Sequence, residues 1–108
     1  MNINQAKVNQ AAETLLKSNL CTPKLNKVLG LIMGIYPGES CARDKNGDVY
    51  LINSFGKFIC GHIHDFVTES VGMARHLNLD PEKYKLLGLA IEKMPLTDVM
   101  EKPKGPTY

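Results

Sequence analysis

In "NQAKVNQAAETLLKSN", residues 4 to 19, Val8, Ala12, Leu15 and Leu16 recur at helical spacing. Lys7, Asn9, Glu13 and Lys17 fall mostly off that face, which predicts an amphipathic helix. "CTPKLNKVLGLIMGIYPG" begins a second helix with a Thr22 cap and Pro23 at the first helical position. Leu25, Val28, Leu29 and Ile32 form its stripe, and Leu31, Met33 and Ile35 make its second half apolar nearly all round. A helix of that kind is expected to be central, with Pro37 and Gly38 stopping it. The period then changes. "ESCARDKNGDVYLINSFGKFICGHI" has a turn at 44–47 that contains Asn46-Gly47, the strongest short hairpin signal, and a second turn at 54–57. Strands are predicted near 39–43, 48–53 and 57–63, paired as an antiparallel meander.

Helical spacing resumes in "DFVTESVGMARHLNL", with Asp65 as the expected cap and Phe66, Val67, Val71, Ala74 and Leu77 along one side. "LDPEKYKLLGLAIEKMP" repeats the pattern: Asp80 caps, Pro81 opens, and Glu82 lies near the positive helix end. Tyr84, Leu87, Ile91 and Met94 are its predicted stripe, and Pro95 its stop. "LTDVMEK" suggests one further turn of helix, and "PKGPTY" a loose tail. The predicted fold is α+β: two N-terminal helices, a small three-stranded antiparallel meander, and two C-terminal helices. Residues 1–101 form one domain and 102–108 a flexible tail.

Length and composition narrow the function classes. A chain of 108 residues with 44% hydrophobic residues can build one ordinary core. Thirteen basic and eleven acidic residues are spread along it, and the pI is about 8.4. Nucleic-acid binders commonly concentrate basic charge on one face, so electrostatics does not favour that partner. Trp is absent and aromatics are few, which disfavours base-stacking platforms. The longest apolar run, "VLGLIMGIY", is far short of a membrane span. The polar start "MNINQAKVNQ" has no leader pattern. With three cysteines, Cys21, Cys41 and Cys60, a reduced cytoplasmic protein with free thiols is expected.

The densest chemistry lies in "KFICGHIHDF". In an unbroken strand, Cys60, His62 and His64 would share one face about 7 Å apart. With Asp65, they form a candidate metal site, zinc being the natural ion, in a metal-binding protein or hydrolase. Cys41 or His76 could complete the ligand set. The alternative is that Gly61 breaks the strand and the histidines lie at its end. Neither paired C-x-x-C nor H-x₃₋₅-H spacing is present. A Cys60–His62 or Cys60–His76 nucleophile would need a depressed thiol pKa and an orienting group. No phosphate-cradling or dinucleotide glycine pattern occurs.

Residues 66–94, through "MARHLNLDPEKYKLL", fit helix-turn-helix spacing, with Asn78 tolerating the left-handed turn. The second helix would then present Leu86, Leu89 and Glu92, which are poor readers of base edges. Residues 69–99, "ESVGMARHLNLDPEKYKLLGLA" running on to "LTDV", resemble a helix pair of HD-domain phosphohydrolases. There a metal-binding His opens the first helix and a His-Asp doublet ends the second. Here Glu69 stands at the first position and residues 90 to 92, "AIE", at the doublet, while His64-Asp65 precedes the helix. The resemblance therefore implies a relative without the metal site and with a binding role.

The sequence points to a non-catalytic protein-binding or regulatory module with no cofactor. Its partner would be another protein or a second copy of itself. Stand-alone domains of this kind include accessory and mobile-element-encoded inhibitors that act by protein contact. The apolar stretches "VLGLIMGIY" and "KLLGLAI" exceed what two layers need, and Met33, Met73, Met94 and Met100 are adaptable contact residues.

Overall fold

The computed structural model describes residues 3 to 100. The elements form in the predicted order: α1 (Gln5–Ser18), α2 (Pro23–Met33), β1 (Ser40–Arg43), β2 (Asp48–Asn53), β3 (Gly56–His62), α3 (Ile63–His76) and α4 (Pro81–Glu92). This is an α+β fold. The tail expected over 102–108 lies outside the described residues.

Side-chain caps set the helix starts. The Asn4 side chain accepts from the Lys7 amide, Thr22 from Leu25, and Asp80 from Glu82. Each satisfies a first-turn N–H that the helix itself cannot. Thr22 is also held from outside its helix. Its N–H and Oγ1 donate to the Glu69 carboxylate of α3 at 2.7 and 2.9 Å. Glu69 thus fastens α3 to the start of α2.

Three helix boundaries differ from expectation, α4 ending at Glu92 so that Met94 falls just outside it. α2 closes at Gly34 (φ 74°), before Pro37 and Gly38, and Ile35 falls outside it. The left-handed conformation available to glycine turns the chain, and the Gly34 and Ile35 amides return to Leu31 and Gly30 carbonyls. Tyr36 then folds back onto α2, where a Cβ on Gly30 would lie 2.4 Å from its ring. α3 begins at Ile63 with His62 as its cap, so Asp65 lies in the first turn.

The core joins all four helices to one face of the sheet. Val8 and Leu15 of α1, Leu25, Val28 and Leu29 of α2, and Leu87 and Ile91 of α4 are fully buried together with Val49 of β2. α4 packs against both α1 and α3, and α2 packs against α1 and β1. No helix is long and apolar enough to cross a membrane among the described residues.

The sheet order is β1-β2-β3, antiparallel throughout. Asp44 organises the first hairpin. Gly47 (φ 89°) donates to the Asp44 carbonyl, forming a turn that ends in one left-handed residue. The Asp44 carboxylate, fully buried, accepts from the Asn46 and Asp48 amides at 2.8 and 3.1 Å. Its second oxygen accepts from the Tyr50 hydroxyl at 2.6 Å. The Tyr50 oxygen in turn accepts from the Met100 amide at 3.0 Å.

The segment after α4 is an added edge rather than the extra helical turn suggested by "LTDVMEK". Arg43 donates its amide to Pro95 and accepts from Thr97, both at 2.8 Å, so Leu96 bridges β1 in parallel. Lys57 holds the next residues, donating to Thr97 Oγ1 at 3.2 Å and to the Asp98 carbonyl at 2.5 Å. Residues 95–100 therefore run from the β1 edge to Tyr50.

Hydrogen bonding, first from Tyr50 and then from the turn amides, holds the Asp44 carboxyl below the usual carboxylate range despite burial, which acts in the opposite direction. A depressed folded pKa adds stability above the unfolded value, and acidification through the folded value removes it. Denaturant midpoints measured from pH 7 downward should fall below about pH 4. Asp44→Asn should be less stable at pH 7 and lose part of that acid dependence. An unchanged pH profile in the variant would contradict this role.

Candidate interaction surface

The four residues proposed as metal ligands are separated by a bulge and a helix start. Tyr50 pairs with Ile59 and Val49 with Gly61, so Cys60 is an extra residue in β3. The alternation that would align Cys60, His62 and His64 does not continue through it. His62 closes the strand with both ring nitrogens engaged. Nε2 lies 2.9 Å from the Asn46 carbonyl, and Nδ1 accepts from the His64 amide at 3.1 Å. A carbonyl can only accept, so Nε2 carries the proton and the ring is in its neutral Nε2–H form. A metal at His62 would require it to give up one of these bonds. His64 and Asp65 are exposed on the first turn of α3. Among the described residues, no three or more His, Cys, Asp or Glu side chains are placed to hold a metal ion.

The thiols are free, and burial pushes each pKa upward. Cys41 is raised to about 11, first by burial and then by Cys60. These strands flank β2, so the two Cα atoms are at least about 9 Å apart by strand spacing, beyond disulfide reach. A catalytic cysteine needs the opposite shift.

The helix pair spanning residues 66–94 lies within the core. Asn78 does adopt the left-handed conformation (φ 57°) between α3 and α4. α4 is flanked by α1 and α3, with Glu82 paired to Lys7. The positions exposed on α4 include Glu82, Lys85 and Glu92, a mixed set of charges. Of residues 90 to 92, Ile91 is fully buried in the core.

Open recesses lie among the described residues. One of about 490 Å³ lies between Lys45 and residues 96–99. Another, about 360 Å³, is bounded by Leu31, Ile32, Cys41, Ala90 and Met94, with Glu39 and Lys93 among its lining residues. Glu39 is already paired with Lys27 at 2.9 Å.

Large apolar side chains are exposed singly at Leu20, Ile35, Leu96 and Val99, and as a sequence cluster on the second hairpin. The stretches "VLGLIMGIY" and "KLLGLAI" go largely into the core: Leu29, Leu31, Leu87 and Ile91 are buried, and so is Met94. Phe55, by contrast, is 88% exposed at the β2–β3 turn, and Phe58 and Ile59 are 48% and 49% exposed on β3. Asn53 and Gly56 close this turn, and the Asn53 side chain accepts from the Phe55 amide at 2.8 Å.

These side chains flank an open edge. β1 is covered by residues 95–97, whereas β3 pairs with a strand only on its β2 side among the described residues. The register also fixes which groups face outward. Arg43 directs its N–H and C=O away from β2, so Val49, opposite it, directs its own toward β3. By alternation Leu51 and Phe58 exchange bonds, while Lys57 and Ile59 point their backbone groups to the open side. No motif marks this surface in the sequence. Its sequence signal is Ser54-Phe55, a two-residue turn carrying a large aromatic where small or polar residues are usual.

Compared with protein-family models, curated proteins and solved structures, the chain shows no significant match.

The thiol environment gives a direct test. At pH 8 a thiol of pKa about 11 has roughly 100-fold less thiolate than one with the ordinary value near 9. Cys41 in the native protein should therefore alkylate about 100-fold more slowly than a free thiol. Mass spectrometry of timed iodoacetamide reactions reads this, and native labelling of Cys41 at the unfolded rate would contradict it.

Proposed function

We propose that this protein is a small, non-catalytic binding module that engages a protein partner, another protein or a second copy of itself, through its second hairpin and the open edge of β3. One observation carries the reading: Phe55, Phe58 and Ile59 stand exposed beside backbone groups that have no strand partner among the described residues. An open edge receives an extended strand, with main-chain bonds supplying affinity and side chains supplying selectivity. The chemistry of the patch favours protein over nucleic acid. Its one charge, Lys57, is turned toward Thr97 and Asp98, and phosphate binding requires accessible cations.

The role fits a regulator or inhibitor that acts by contact. Free, high-pKa thiols suit a reducing compartment such as the cytoplasm.

A pull-down with the chain as bait tests the reading, with Phe58→Lys as the matched control. Phe58 is half exposed, so this change should leave the helix signal and melting temperature nearly unchanged. Loss of a central aromatic anchor costs on the order of 2 kcal/mol, so recovery of a specific partner should fall about 30-fold. Equal recovery by both baits would contradict the proposed surface.

A further inference from the structure

Resting on that reading, we infer that the partner at the β3 edge is a second copy of this chain, joined by antiparallel β3–β3 pairing about a two-fold axis through Phe58. The inference follows from register, charge and area. In a continuous sheet about a perpendicular two-fold axis, opposed residues share a face, so the axis passes through a residue of β3. The outward backbone groups belong to Lys57 and Ile59. Three registers bring these groups into a new ladder.

An axis through Lys57 sets two ammonium-bearing residues directly opposite each other, which is repulsive. An axis through Ile59 draws Gly61 and the Cys60 bulge into the ladder, where the strand departs from regular pairing. An axis through Phe58 has neither defect. Lys57 of each copy lies opposite Ile59 of the other, and together they exchange about four backbone hydrogen bonds. Phe58 meets its counterpart at the non-hydrogen-bonded position, where opposed side chains approach most closely. Lys57 bends over its own Tyr50 ring, 4.7 Å from the centroid, leaving its aliphatic stem beside the partner's isoleucine.

The area is small but adequate. Exposed parts of Phe55, Phe58 and Ile59 amount to roughly 350–400 Å² per copy. Even complete burial of these parts in two copies, with their edge backbones, gives an upper bound of about 1,000 Å², the weak end of specific interfaces. Association should accordingly be reversible and concentration-dependent.

Sedimentation equilibrium of the full chain tests this between about 1 and 200 µM, a span suited to micromolar association. The mass should rise from 12.0 kDa toward twice that value. Phe58→Lys should remain at the monomer mass with an unchanged circular dichroism spectrum. Phe58→Cys should form an intermolecular disulfide at residue 58 under mild oxidation, mapped by peptide mass spectrometry, whereas Lys57→Cys should not. A wild-type chain that stays monomeric at the highest concentration overturns the inference. So does a dimer that persists in Phe58→Lys with its affinity intact. If the chain is monomeric yet loses a specific pull-down partner on Phe58→Lys, self-pairing fails while the binding reading stands.

Discussion

The buried carboxylate of Asp44 is the constraint on which the sheet depends. A carboxylate removed from water must find donors, and this one takes them from its own turn and from Tyr50. Those bonds fix the first hairpin and place the tyrosine hydroxyl where its oxygen can receive the Met100 amide. The local turn is thus connected to the segment that follows the last helix. A hydrocarbon at position 44 could not make that connection.

This arrangement treats the two sheet edges differently. Residues 95–97 bond to Arg43 and occupy the β1 side, while Lys57 and Tyr50 draw the following residues across the sheet. Closing one edge makes the other conspicuous. β3 has a bulge at Cys60 and a histidine cap beyond it, devices that end pairing near His62. Neither protects Lys57 to Ile59. An edge with aromatic and β-branched residues and no outward charge is adapted to receive a strand.

Much of the fold was legible because its signals are local. Thr22-Pro23 and Asp80-Pro81 announce helix starts by capping chemistry, and Asn46-Gly47 announces a hairpin by backbone preference. The meander lengths follow from alternation and turn placement. Other features depend on distant partners. Nothing near Glu69 reveals that it holds the cap residue of α2, and nothing in "LTDV" reveals a bridge to Arg43. The bulge at Cys60 and the His62 cap have the same character. An unbroken period of two aligned the candidate ligands on paper, whereas the pairing register divided them. The exposed hairpin was missed because hydrophobicity alone does not distinguish core from surface. "KLLGLAI" has a covering neighbour on each side, and Phe55 has none.

Residues 95–97 close one edge of this sheet, residues 98–100 cross it to Tyr50, and among the described residues the β3 edge stays open. Amide hydrogen exchange at about 1 µM, dilute enough to suppress weak association, tests it residue by residue. The Arg43, Thr97 and Met100 amides should exchange slowly, and those of Lys57 and Ile59 much faster. Rapid exchange at Thr97 and Met100 together with strong protection at Lys57 and Ile59 would contradict the account.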